Sequence, residues 1–382
     1  MRFLHTGDLH LDSAFCTYGA RDAEAQREEG RALLRRVFEC AKQEECQMIL
    51  VAGDLFDSKF VSPETDELFC SLVEDCGIPV VVSTGNHDPY SENSFYSKAS
   101  QRLGERLLLF TSPELQVFDI DELKVRVFGY SFTSPSLTVS PLDNADIPED
   151  NGYLKIFCGH GDIDAPLSRY SPIMLSKLEE LGFAYSALGH VHNAKEFEDS
   201  EGRVRYSGFG EGRAFDEIGE GGIWIVDADR DSCECRRIIL SKKAFYICEL
   251  ELSPEDSRDS IEKKIKDSLE QMNVVDRAYV RVILSGMADG NEISVLAARK
   301  EELCRNLGCE YIELVDHAMP LIDGSYLERD TTLRGELYRI LRPQLMSQDA
   351  DERALAIRAL KIGLAAIDGR NIFGASTDGG IG

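Results

Sequence analysis

Six of the chain's seven histidines stand in or beside short motifs that each follow a run of apolar, mostly β-branched residues. The motifs are Asp8-Leu9-His10 with His5 just upstream, Gly53-Asp54-Leu55-Phe56-Asp57, Gly85-Asn86-His87-Asp88, Gly159-His160-Gly161-Asp162 and Gly189-His190-Val191-His192. Imidazole is a borderline ligand suited to transition metals, whereas Asp and Asn supply harder oxygen donors. Both kinds carried to one edge of a sheet are what a two-metal hydrolytic site needs. Singly, each motif is weak, since Gly-Asn-His-Asp also suits an ordinary turn. Together, and each in a strand-end context, they point to a site.

Asp8 and His10 are separated by one residue on a post-strand loop, so both can turn towards one ion. Gly53 leaves room for a metal beside the backbone, and the two carboxylate oxygens of Asp54 can bridge two cations. Asn86 offers a carbonyl oxygen, and His160, His190 and His192 offer imidazole nitrogens. His87 adjoins Asn86 without needing to be a ligand. It is the candidate catalytic residue, able to protonate a leaving alkoxide or stabilise charge at phosphorus. The alternative is a further ligand or a structural histidine. Asp57 and Asp88 read as carboxylates that orient ligands. His5 reads as a packing or hydrogen-bonding residue near the sheet edge, and the isolated His317 as structural.

Positioning these loops requires an α/β framework. Arg2–His5, Met48–Val51, Pro79–Val82, Val125–Tyr130, Leu154–Cys158 and Tyr185–Leu188 read as strands, with short strands around 107–118. Continuous apolar runs among them match a sheet covered on both faces. Helices are predicted over 24–43, burying Leu33, Leu34, Val37, Phe38 and Ala41, and over 63–75 and 173–181. Arg205–Ser207, Gly222–Val226 and Arg236–Leu240 read as antiparallel additions. In open α/β sheets ligands bind beyond the carboxyl ends of strands, so motifs far apart in sequence meet at one edge.

A length of 382 residues predicts more than one unit. We read 1–242 as the first domain and 243–322 as a small α+β module. In that module Phe245–Leu252 and Tyr279–Leu284 are strands, and a helix opens at Ser253-Pro254-Glu255-Asp256 with Ile261, Ile265, Leu269 and Met272 on its apolar face. A further helix is predicted over 292–307. Residues 323–368 form C-terminal helices, with a stripe of Leu333, Leu337, Ile340 and Leu341 ended near Pro343 and another of Leu360, Leu364 and Ile367. Such stripes read first as intramolecular core. A flexible tail is expected over 369–382.

The eleven cysteines are scattered and suit free thiols in a reducing compartment. Cys233 and Cys235 hint at a metal clip, but no second Cys or His pair lies near, so a structural role is expected. The N-terminus lacks a signal-peptide pattern and no apolar run nears the roughly 20 residues of a membrane span, which predicts a cytoplasmic protein with no membrane partner. The net charge of −26 argues against strong, independent DNA binding, since a phosphate-gripping face is normally basic.

The five motifs resemble the calcineurin-like metallophosphoesterase superfamily, matching its order of D-x-H, G-D-x-x-D, G-N-H-D/E, a single H and G-H-x-H. Within it, residues 5–13, Gly85–Pro89 and Gly189–His192 are similar to DNA-repair exonuclease subunits of the SbcD and YhaO type. The resemblance implies a sheet sandwich flanked by helices, with a capping domain after 243 and C-terminal helices. It also implies one metal held by Asp8, His10, Asp54 and His192, a second held by Asp54, Asn86, His160 and His190, and a catalytic His87. The implied cofactor is a pair of divalent metal ions, with Mn2+ usual and Fe2+, Zn2+ and Mg2+ as alternatives. The implied activity is a manganese-dependent exonuclease or endonuclease acting on DNA ends beside an SMC-like coiled-coil ATPase, with a homodimer as a further partnership. The alternatives are a phosphatase or phosphodiesterase on nucleotides or phosphoproteins, and a mainly structural subunit that recruits the ATPase.

Overall fold

The computed structural model describes residues 1–15, 20–57, 60–145, 147, 152–197, 200–320 and 324–367; the tail expected over 369–382 lies outside them. The chain forms two units, Met1–Arg213 with Gly219–Lys242, and Ala214–Ile218 with Lys243–Gly382.

In the first unit the strands are β1 (Arg2–Thr6), β2 (Ile49–Ala52), β3 (Val80–Ser83), β4 (Leu107–Leu109), β5 (Gln116–Ile120), β6 (Val125–Gly129), β7 (Leu154–His160), β8 (Tyr185–Gly189), β9 (Lys195–Glu196), β10 (Val204–Tyr206) and β11 (Gly219–Ala228), with the long β12 (Cys233–Leu252) beginning here. One sheet runs β12–β11–β1–β2–β3–β4 and the other β5–β6–β7–β8–β10–β9. Strands β1 to β4 are parallel, and β11 returns antiparallel along β1. Strand β10, expected as an antiparallel addition, instead lies parallel to β8 and takes β9 as its antiparallel neighbour. Three-residue strands carry no pattern that fixes direction.

Alternation along the strands sorts the core into layers. Leu4, Ile49, Val51, Val80 and Val82 face α1 (Ala20–Gln43), α2 (Pro63–Cys76) and α3 (Phe95–Leu103), where the predicted Leu33, Leu34, Val37, Phe38 and Ala41 are buried. Phe3, Leu50, Ala52 and Val81 face Val127, Ile156, Cys158 and Tyr185 of the second sheet. On the far side, Phe128, Phe157 and Leu188 pack on Leu178 of α4 (Leu175–Leu181). The result is a sheet sandwich flanked by helices. Each fully buried side chain of this size contributes about 1.5–3 kcal/mol, so truncating a central one such as Leu50 opens the middle layer. Local signals agree: Ser62 caps α2 by accepting from Thr65 N, Pro63 follows it, and Gly77 ends the helix at φ 70°.

In the second unit the later half of β12 pairs in parallel with β13 (Ala278–Ala288), which pairs with β14 (Tyr311–Asp316), and β15 (Met319–Pro320) follows. Ile261, Ile265 and Leu269 of α5 (Arg258–Gln271) bury against Val280, Val282 and Ile312. The helix starts later than expected: Ser257 is the cap, while Asp256 accepts from Ser253 N and Oγ in a turn that precludes a start at Ser253. Met272 falls at its C-cap and is partly exposed. The helix predicted over 292–307 is two, α6 (Gly290–Ala298) and α7 (Lys300–Leu307), broken at Arg299.

Then come α8 (Gly324–Arg329), α9 (Leu333–Leu345) and α10 (Ala350–Ile367). Helix α9 runs two residues past Pro343, whose ring removes one N–H donor from the ladder of the last turn. The stripe on α9 is not all core: Leu333 is 73% and Ile340 62% exposed, while Tyr338 and Leu345 pack with Leu360 and Leu364. Among the described residues no helix is long and apolar enough to cross a membrane.

Candidate metal centre

The carboxyl ends of β1, β2, β3, β7 and β8 and the loops that follow them carry the five motifs. Beyond their strands the first two loops stay zipped together: Asp8 N donates to Gly53 O at 3.1 Å, His10 N to Asp54 O at 3.0 Å and Leu11 N to Leu55 O at 2.9 Å. Asp8, His10 and Asp54 adopt φ of 49°, 46° and 46°, and His190 adopts 105°. Non-glycine residues hold such angles only where the surroundings impose them, at about 1–3 kcal/mol each. Two glycines are required by close approach. A Cβ at Gly53 would lie 2.3 Å from His160 Nδ1, and one at Gly85 2.1 Å from Asp54 Oδ1.

The donor atoms converge with their lone pairs facing inward. His160 Nδ1 lies 3.0 Å from the Ala52 carbonyl, which can only accept, so Nδ1 carries a proton and Nε2 is the nitrogen turned to the centre, with a lone pair in the neutral ring. That Nε2 faces Asn86 Oδ1 at 3.0 Å and Asp54 Oδ2 at 3.3 Å. His10 Nδ1 donates to Asp57 Oδ1 at 3.1 Å, which leaves its Nε2 facing His192 Nε2 at 3.0 Å. A proton on one atom of each pair, or a cation between the two, satisfies such close contacts. Asp8, His10 and His192, and likewise Asp8, Asp54 and His160, offer ligand atoms within 4.8 Å of one another; His10, Asp54 and His87 form a third such group. The arrangement suits divalent cations.

The electrostatics agree. Burial opposes charge on His160, yet Asp54 and Asp8 lift it to about 9, so a proton is held where a cation would be. Burial likewise opposes ionisation of Asp54, but His160, His10 and His87 hold it well below the usual carboxylate range. Asp8 accepts from His190 N at 3.0 Å and from Ser207 Oγ at 3.1 Å. His190 is lowered by burial and by His160, and its Nε2 lies 3.4 Å from Asp162 Oδ1.

His87 is 45% exposed, and its Nδ1 lies 3.1 Å from Asp57 Oδ1. That hydrogen bond raises its pKa against burial. Burial opposes charge on Asp57 too, but hydrogen bonds from His10 and His87 hold it ionised. Asp88 does different work, pinning two loops by accepting from Phe56 N at 3.0 Å, Gly85 N at 2.8 Å and Tyr96 Oη at 2.5 Å. Burial and the charge of Asp54 push it up to about 6. His5 is buried away from these groups, bonded to Tyr185 Oη at 2.8 Å and Leu188 O at 3.2 Å. His317 is exposed.

Sequence reasoning missed Ser207 and Asp162 as partners of Asp8 and His190, and Arg213, whose Nη1 lies 3.8 Å from Asp57 Oδ1. The glycine-rich Ser207-Gly208-Phe209-Gly210-Glu211-Gly212-Arg213 after β10 was the available signal, being another strand-end loop.

Residues 1–194 match the model of the calcineurin-like phosphoesterases, and the chain belongs to that family. It is similar to the metallophosphoesterase YhaO of Bacillus subtilis, 28% identical over 244 residues that cover 59% of this chain and 57% of that protein, little more than half of the relative's length. It is 24% identical over 299 residues to the D subunit of the SbcCD nuclease of Staphylococcus epidermidis, covering 70% of this chain and 75% of that one. Among solved structures, a dimetal phosphatase from Danio rerio aligns with a TM-score of 0.42 at 13% identity, covering 63% of this chain and 96% of that one.

Proposed function

We propose that the protein is a two-metal phosphodiester hydrolase that cuts DNA ends as the nuclease subunit of an SbcCD-like complex, with Mn2+ as its metal. The observation that carries the hydrolase reading is the convergence of ligand-type atoms, His160 Nε2 with Asn86 Oδ1 and His10 Nε2 with His192 Nε2, each at 3.0 Å. Asp8, His10, Asp54 and His192 would hold one ion, and Asp54, Asn86, His160 and His190 the other. Such a metal pair would supply an activated water and positive charge for the phosphoryl oxygens.

The chain's own residues do the rest. Asp57 fixes the His10 tautomer through Nδ1, so that Nε2 stays free to ligate. It also holds the His87 ring by Nδ1 and favours its protonated form. His87, half exposed at the rim, then gives its proton to the leaving oxygen. Asp88 keeps the Gly85–Asp88 turn in place from below.

The likeness to an SbcCD subunit supports DNA as substrate. In this reading residues 243–322 act as a capping domain, and the helices of 323–368 dock a coiled-coil ATPase. Exposed Leu333, Ile340, Met346 and Leu355 support such docking. The partner and the ions supply the positive field that a chain of net charge −26 lacks. That charge is also what favours the second reading, a phosphoesterase for a small nucleotide or phosphoprotein. Purified protein with Mn2+ should degrade linear DNA, alone or with the ATPase, and lose that activity in Asp54→Ala. Hydrolysis of small phosphoesters with no DNA cleavage even beside the partner overturns the DNA reading.

A further inference from the structure

The thiols of Cys233 and Cys235, which project from one face at the start of β12, lie 3.7 Å apart and are half-buried. No other cysteines of the described chain are placed two apart on a strand. Beside Cys235, with which its side chain interacts, stands Arg205, only 5% exposed, paired with Glu196 and stacked at 4.6 Å over the ring of Trp224. Its buried Nε–H makes no hydrogen bond. From the geometry of this pair and its guanidinium we propose that Cys233 and Cys235 form a peroxide-oxidisable dithiol that closes reversibly to a disulfide.

The two sulfurs have different roles. The bond shared by the two thiols, with the charge of Arg205 nearby, draws Cys235 towards thiolate against the effect of burial and raises Cys233. Burial instead raises Cys40, Cys46, Cys70, Cys76, Cys158, Cys248 and Cys309. Thiolate character and access select which cysteine reacts. The Cys235 thiolate attacks a peroxide oxygen; the S–O bond forms, the O–O bond breaks, and hydroxide leaves and takes up a proton as water. Cys235 is now a sulfenic acid. The Cys233 sulfur attacks it, the S–S bond forms, the S–O bond breaks, and the oxygen leaves as water with the Cys233 proton. In sum, two thiols and one hydrogen peroxide give one disulfide and two waters.

The strand allows the closure and keeps it labile. Residues two apart on a strand have Cα atoms about 6.6 Å from each other, near the upper limit for a disulfide, so β12 must pinch. Residues 233–242 pair only with β11, because β13 pairs from Ala244 onward, and an edge can deform without breaking a second ladder. A strained, accessible disulfide is readily reduced, which suits a reversible device over a structural staple.

The test uses the full chain treated with hydrogen peroxide, alkylated and digested with trypsin. Arg230 and Arg236 flank the pair, so the peptide Asp231–Arg236 carries these two cysteines and no others. The expected product is that peptide unalkylated and lighter by two hydrogens, returned to the dialkylated form by a dithiol reductant. It should form at least about tenfold faster than any sulfinic acid on the same peptide. In Cys233→Ser, a dione probe should trap the sulfenic acid on Cys235, and Cys235→Ser should abolish both products. A peptide that stays dialkylated under peroxide, or that reaches sulfinic acid without passing through the disulfide, overturns the proposal.

Discussion

Two fully buried histidines of the first unit stand in opposite electrical states. His5, inside β1, has both ring nitrogens satisfied by neutral partners, the Tyr185 hydroxyl and the Leu188 carbonyl, and burial takes it down to about 3. His160, at the end of β7, is just as buried, but Asp54 and Asp8 lift it to about 9. Burial penalises the charged form of both, so the neighbours decide. The strand interior is built to refuse a positive charge and the strand ends to demand one. That demand is what a cation answers.

The comparison breaks most visibly at Asp54. Asp54→Asn should cut phosphoesterase activity by roughly 10³-fold or more, as expected when a central electrostatic group is lost. In the metal-free variant, an NMR titration should find His160 losing its proton well below 9, where the parent holds it. Retained high proton affinity would show that Asp54 is not the source of the demand. His87→Asn should lower kcat by roughly 10²-fold while the metal content of the purified protein is unchanged, because the half-exposed ring at the rim acts as proton donor and not as a ligand in the proposed reading. Lost metal would make it a ligand instead.

Smaller effects sharpen the contrast. Asp57→Asn should weaken metal affinity by about 10–100-fold in a chelator competition, since it frees the His10 tautomer. At His5 the expectation concerns stability. Its folded-state pKa is depressed from 6.5 to about 3, so below 6.5 the unfolded chain binds a proton that the folded chain refuses. The stability is complete above 6.5 and lost as pH falls towards 3, at about 1.4 kcal/mol per pH unit. Urea unfolding with chelator present, at pH about 7 and about 4.5, should show a shallower loss in His5→Gln than in the parent. Equal losses in the two would mean that the proton is excluded by something other than His5.

Much of the centre is legible in the order of residues alone. Asp8, Asp54, Asn86, His160 and His192 can be found because residue type and a preceding β-branched run coincide, and strand ends share an edge. Ser207 is harder, because its only signal is the glycine-rich loop it opens, and its place beside Asp8 shows only once β10 is seen beside β8. The direction of β10 and the break at Arg299 depend on tertiary pairing that short segments do not encode. Exposure of Leu333 and Ile340 is hidden for a related reason: periodicity reveals a stripe, not what covers it. The nearness of the Cys233 and Cys235 thiols follows from strand spacing, but the buried Arg205 beside them does not.

The convergence of strand-end loops also sets a timetable. Asp8 leaves the ribosome long before His192, and the chain between them must fold into two sheets before their atoms meet. An emerging polypeptide that has reached only the Gly85–Asp88 turn owns several good donors and no site. Under the proposed ligand sets, a complete site exists only once β8 has joined the sheet. Loading doubles as a sign that the sandwich has closed.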